Sequence, residues 1–173
     1  QQSKSNSLDI SPKKMQAEIK YNQMNIFRQC KIGYLIAGGL LLVLAFAAMF
    51  NDLRKLNWLF WLLLGLVVAV FGFHTYGMGV RWYIAGYAPW SNSYETMVYV
   101  AWATVAAGLM FVRRSRITMA LATLFGGIIL FVSGLNWMDP EISPLVPVLK
   151  SPWLMFHVAV IVAAYGFFGI CCL

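Results

Sequence analysis

Residues 58–80 read WLFWLLLGLVVAVFGFHTYGMGV, and this stretch decides the fold. It holds no Asp, Glu, Lys or Arg. A helix crosses the roughly 30 Å hydrocarbon core of a bilayer in about 20 residues, at about 1.5 Å each. No water is available there for peptide N–H and C=O groups, so the segment must satisfy its backbone internally. Trp58–Val80 therefore reads as a transmembrane helix. Four more apolar runs share its character: Ile32–Phe50, Thr96–Val112, Ile117–Trp137 and Trp153–Leu173. The sequence predicts an all-α integral membrane protein with five transmembrane helices.

Composition agrees. Of 173 residues, 61% are apolar, 16% aromatic and only 11% charged, and the mean hydropathy is +0.71. An ordinary soluble domain carries roughly a quarter charged residues. At this size it has too little interior to hide so much apolar surface. The 13 basic residues against 6 acidic ones leave a net charge of +7. They sit at the ends of the apolar runs and form no continuous stripe. That distribution points to membrane topology and anionic lipid, and away from nucleic acid. Cys30, Cys171 and Cys172 form no CxxC and no clustered metal set. There is no phosphate-binding loop, nucleophile–base pair or pair of facing carboxylates.

The connections between runs divide into two kinds. Asn51–Asn57 (NDLRKLN) and Arg113–Arg116 (RRSR) are short and basic. Arg81–Glu95 (RWYIAGYAPWSNSYE) and Asn136–Pro152 (NWMDPEISPLVPVLKSP) are longer and carry tryptophan and proline. Short basic loops stay inside, which makes the two longer loops external. Residues 1–31 then lie outside, despite six basic residues against Asp9 and Glu18. Long translocated domains escape the charge rule. Residues 1–31 thus read as the polar juxtamembrane end of an external domain, with an interfacial helix over Pro12–Lys31. Residues 32–57 form a first span and internal loop, and residues 58–173 the main membrane domain.

Ionisable groups inside membrane spans carry most of the functional information. The two histidines, His74 and His157, both lie in apolar runs. Ser151 and Pro152 suit the N-cap and first position of a helix, so His157 sits roughly 6–8 Å below its start. Trp153, Leu154, Val160 and Ile161 share its face. Its imidazole can bind iron, donate a hydrogen bond or reach interfacial water. His74 precedes Arg81 by seven residues, roughly 10 Å from that helix end. Gly72 and Gly77 leave room beside it for a partner helix, a lipid or a flat macrocycle. A hydrogen bond to a neighbouring helix is the plainer use of such a group. The similar depths of the two rings permit a bis-histidine haem site. Arg81 stands among Trp82, Tyr83, Tyr87 and Trp90. Ser91, Asn92 and Glu95 look like a helix start. An arginine beside stacking aromatics can also hold a flat anion such as a porphyrin propionate. Asp139 and Glu141 flank Pro140 as turn residues.

RWYIAGYAPWSNSYETMVYVAWA (Arg81–Ala103) resembles the signature R-W-x-x-x-G-[HY]-x-P-x-S-N-x-Y-E-x-[ML] of the CcsA/ResC cytochrome c assembly family, the system II cytochrome c synthetases. ISPLVPVLKSPWLMFHVAVIVAAYGF (Ile142–Phe167) is similar to the family segment L-x-P-x-L-x-S-x-W-L-x-x-H-V. Two long motifs in the right order and spacing make this a specific match, and the resemblance covers roughly residues 58 to 173. IKYNQMNIFRQCKIGYLIAGG (Ile19–Gly39) looks like the junction of fused CcsB–CcsA proteins, although this match is looser. Tyr87 stands where some members have His.

The resemblance implies haem transport to the outer face of the inner (plasma) membrane. Haem b is presented there for thioether attachment to the CxxCH motif of apocytochrome c. It implies His157 as an axial ligand of the haem iron, with Arg81, Trp82 and Trp90 lining the outer site. No ligand role carries over to His74, which enters only through its depth. The second ligand and the W-G-x-x-W-x-W-D motif belong to a later segment of the family. By this reading residues 58–173 are the N-terminal part of a CcsA-type haem-handling domain of a haem lyase, the fragment is inactive by itself, and a CcsB/ResB-type partner lies on the same chain. The competing reading is a multi-span permease or channel for a small solute, served by scattered glycines and intramembrane histidines.

Overall fold

A computed structural model describes residues 12–50, 57–135 and 151–172. Helix α1 covers Pro12–Met24 and α2 covers Ile26–Phe50. They are followed by α3 (Asn57–Ala85), α4 (Ser93–Phe111), α5 (Arg116–Ser133) and α6 (Pro152–Cys172). Among the described residues there is no strand. Residues 1–11, the basic 51–56 loop and the 136–150 loop with Asp139 and Glu141 lie outside the described residues.

Local chemistry explains where each helix starts and stops. Asn25 sits at φ 44°, a left-handed conformation that separates α1 from α2 and that Asn tolerates better than most residues. The Gln29 side chain donates to the Met24 carbonyl at 3.0 Å and satisfies the end of α1. Gly86, at φ 75°, terminates α3, as a glycine without a Cβ can. The side chains of Asn92 and Ser115 cap α4 and α5, accepting from the backbone N–H groups of Glu95 and Thr118. Helix α6 begins at Pro152, where its missing N–H costs nothing. The expected Ser151–Pro152 start is therefore observed.

Among the described residues, four segments are long and apolar enough to cross a membrane: Met15–Ala48, Asn57–Ala85, Arg116–Ser133 and Trp153–Cys171. The fifth expected span is α4, a 19-residue helix whose first turn carries the polar Ser93 and Glu95. It lies against α5 and α6, burying Ala101, Val105 and Gly108. The protein is thus an all-α, multi-pass membrane protein.

Several boundaries differ from the hydropathy reading: α4 starts at Ser93 rather than Thr96, and α5 ends at Ser133, before the expected Trp137. Helix α2 starts at Ile26 rather than Ile32, and α3 runs past Val80 to Ala85. The expected loop Arg81–Glu95 contracts to residues 86–92, with Arg81 and Trp82 on the helix. Hydropathy ended the span at a charge; the helix continues because that charge finds a partner inside the protein.

From α2 to α5 the helices alternate in direction. At one end Arg116 of α5 donates to the Asn57 side chain of α3 at 2.7 Å and covers the Phe60 ring. At the other end the Lys31 ammonium of α2 lies over Phe131 of α5. Helix α2 packs on α3 and α5, and α4 packs on α5 and α6. Lipid tails are as apolar as leucine, so these contacts depend on close packing. A Cβ at Gly38 would stand 2.6 Å from the Leu124 backbone nitrogen, and one at Gly166 2.9 Å from that of Thr104. Outward-facing side chains such as Val43, Trp61 and Met110 are apolar and exposed, as a lipid-facing surface requires.

Candidate functional site at the Arg81 end of the bundle

Arg81 and Glu95 are only 2% and 1% exposed. The Arg81 Nε donates to Glu95 Oε1 at 2.8 Å. Glu95 Oε2 accepts the Ser91 backbone N–H at 2.9 Å. The Glu95 N–H is itself held by the Asn92 side chain at 2.7 Å. One carboxylate therefore ties the end of α3, the turn and the start of α4 together. Tyr94 lies under the guanidinium at 5.3 Å, and the Tyr21 hydroxyl of α1 is hydrogen-bonded to it. Burying an ion pair is tolerable only with this degree of satisfaction. In the loop, burial and then the Glu95 carboxylate push the Tyr87 phenol above its ordinary value, so it stays protonated.

Arg81 was expected to face an outer ligand. Instead it points into the bundle, because Glu95 neutralises it there. The pairing is visible only in three dimensions, although two opposite charges flanking a glycine-bearing turn in apolar surroundings are a usable signal.

The aromatic residues form a ladder. Trp82, 52% exposed, meets Trp90 edge-on at 5.9 Å. Trp90 leans on Tyr99 at 5.0 Å. Tyr99 stacks on Trp102 at 5.8 Å, and Trp102 on Phe71 at 5.4 Å. The Trp102 indole N–H donates to Thr75 Oγ1 at 2.9 Å. The Trp90 indole N–H donates to the Met155 carbonyl of α6 at 3.2 Å. That bond brings the turn to within two residues of His157.

His157 is exposed, standing on the outer face of α6 with Trp153, Phe156, Val160 and Ile161. The opposite face buries Ala159 and Val162. A shallow apolar groove of about 460 Å³ runs between Tyr99 and the α6 residues Phe156, Ala159 and Val160.

His74 is fully buried. Its Nδ1 pairs with the Tyr34 hydroxyl of α2 at 3.3 Å, and Phe27 meets the ring edge-on at 5.6 Å. Its Nε2 makes no hydrogen bond of good geometry among the described residues, and the Val98 backbone of α4 lies beside the ring. The room expected beside Gly77 is filled, since a Cβ there would lie 2.7 Å from Ile26 Cγ2. One imidazole is sealed inside the bundle and the other stands on its surface. The described structure therefore does not join them in the bis-histidine site that their similar depths permitted. Tyr34 and Phe27 were missed, because a partner on another helix leaves no spacing signal in the sequence. Cys30 is buried and Cys171 exposed, and no cluster of three metal-binding side chains occurs among the described residues.

Comparison with known proteins places this site in context. A family model described as "Cytochrome C assembly protein" matches residues 90–173, from the ladder tryptophan through α6. The chain is 40% identical over 177 residues to Protein NrfI of Wolinella succinogenes, an alignment covering 98% of this chain. It is 36% identical over 141 residues to the cytochrome c biogenesis protein CcsA of Synechococcus sp. WH7803, covering 72% of this chain. The chain belongs to the cytochrome c assembly protein family. It spans 19% of the length of the NrfI relative and 43% of that CcsA. A further CcsA, from Gloeothece citriformis, is 40% identical over 93 residues, 51% of this chain and 28% of that protein. The family match contains Glu95 and His157; Arg81 and Trp82 lie just before it.

Proposed function

We propose that this chain is the haem-handling part of a cytochrome c assembly protein, with His157 as an axial ligand to haem b. Haem is the cargo, presented at the outer face of the inner membrane for thioether attachment to the CxxCH motif of apocytochrome c. The observation that carries the reading is the Trp90–Met155 hydrogen bond. It joins the two segments on which the family resemblance rests, and it sets Trp82 and Trp90 at the end of the bundle where His157 stands. The described residues suit one side of such a group. An imidazole nitrogen, poorly matched to a lipid face, stands open beside Trp153, Phe156 and Val160. Family membership supports the same assignment. Arg81 contributes through Glu95, by holding the turn that carries Trp90. The second ligand and the attachment chemistry belong to other parts of the assembly, including a CcsB/ResB-type partner on the same chain, so residues 1–173 alone do not attach haem.

The test uses the full-length protein purified from membranes. His157→Gly removes the haem absorbance of the outer site, and external imidazole restores it. Unchanged absorbance in His157→Gly refutes the ligand assignment.

A further inference from the structure

The first turn of α6 is weakly held. From Trp153 to Val158 every side chain is exposed or half-buried, and Trp153 is 84% exposed. The buried contacts of α6 begin at Ala159 and continue through Val162 and Gly166. His157 thus lies on the part of the helix that packing does not fix. A ligand to iron must nevertheless keep its depth and direction, because a donor displaced by a fraction of an ångström loses much of its bond.

One side chain supplies the missing restraint. The Trp90 indole N–H reaches the Met155 carbonyl at 3.2 Å. A carbonyl has two lone pairs, so this bond adds to the helical one and leaves the turn intact. Met155 and His157 lie about 200° apart around the helix, so Trp90 holds the bundle side while the imidazole faces away. Trp90 is itself immobilised: it packs on Trp82 and Tyr99. Its neighbour Ser91 is fixed through its N–H by Glu95 and through its hydroxyl by the Ala88 carbonyl at 3.0 Å. A continuous line of defined contacts runs from the buried Arg81–Glu95 pair through Trp90 to the turn that bears His157.

We propose that Trp90 is a positioning residue for His157, fixing the height and tilt of the first turn of α6 through its hydrogen bond to the Met155 carbonyl. The proposal rests on the reading of His157 as a haem ligand. Trp90 touches the helix backbone and acts on the cargo only through it.

Trp90→Phe keeps an aromatic ring between Trp82 and Tyr99 and removes the N–H donor. The variant is made in the full-length, haem-loaded protein. Two quantities are read: the rate of haem loss to an excess of a haem-scavenging protein, and the imidazole concentration that displaces His157 from the visible spectrum. One lost hydrogen bond predicts a roughly two- to tenfold faster loss and a similar drop in that concentration. Trp102→Phe is the control, since it removes an indole donor of the same ladder whose partner is Thr75. It leaves both quantities unchanged, and thermal unfolding moves equally in the two variants. Equal haem loss in Trp90→Phe and wild type, with His157→Gly losing the haem, overturns the positioning role and leaves the ligand assignment standing. Equal acceleration by Trp102→Phe also overturns it, because the effect is then general loosening. Retention of haem by His157→Gly refutes both.

Discussion

Replacing Glu95 probes the contact on which the site end is built. Its carboxylate holds a buried guanidinium at 2.8 Å and a backbone N–H at 2.9 Å. Glu95→Gln preserves the shape and an oxygen for Ser91 but leaves Arg81 as an uncompensated buried cation. Breaking a buried pair from one side costs about 3–5 kcal/mol. Tyr94 under the guanidinium returns part of this, since a cation over a ring is worth about 0.5–2 kcal/mol. The expected loss for Glu95→Gln is therefore about 3 kcal/mol. Glu95→Ala also orphans the Ser91 N–H, worth a further 1–3 kcal/mol or so. At roughly 2–4 °C per kcal/mol for a chain of this size, the glutamine variant melts about 6–12 °C lower. The assay is thermal unfolding in detergent micelles. The double variant Arg81→Met/Glu95→Leu removes both charges and should recover at least half the loss of Glu95→Ala, because no buried charge then remains and only the weaker cost of the Ser91 N–H and Tyr21 hydroxyl losing these partners persists. A melting point for Glu95→Gln within about 2 °C of wild type refutes the reasoning. So does a double variant no better than Glu95→Ala.

Three further outcomes follow from the packing and the topology. Gly38→Ala forces a Cβ to within 2.6 Å of the Leu124 backbone nitrogen, whereas Gly39→Ala meets nothing within 4 Å. The first should cost about 1–3 kcal/mol and the second almost nothing, read by melting temperature. Tyr34→Phe removes the partner of a buried imidazole and should cost about 1–3 kcal/mol; Tyr34→Phe/His74→Leu should cost less than Tyr34→Phe alone, since no polar nitrogen then remains buried. Single cysteines replacing Tyr87 and Ser115 in a background lacking Cys30, Cys171 and Cys172 should react with an impermeant maleimide from opposite sides of sealed vesicles. The Tyr87 site should label from outside; the reverse pattern refutes the proposed orientation.

Particular residues show what was legible in the chain and what was not. The helices could be read because a lipid solvent leaves an apolar backbone one way to satisfy its N–H and C=O groups. Trp58–Val80 carries that instruction alone, as do the caps at Asn92 and the Ser151–Pro152 start, which depend on neighbours a few residues away. Family motifs could be read for the same reason, being local strings of residues. The sequence did not show that Arg81 turns inward to Glu95, that Ile26 fills the space beside Gly77, or that Trp90 reaches Met155. Each of these depends on which faces of separate helices meet, and hydropathy assigns a residue no partner. So the sequence by itself determined an all-helical membrane protein of the cytochrome c assembly kind. Tertiary structure alone decided that one histidine is sealed against Tyr34 while the other stands open. That choice is made by helix packing, because α2 packs on α3 and covers His74 with Tyr34 and Phe27, whereas α6 buries only a narrow stripe that includes Ala159, Val162 and Gly166.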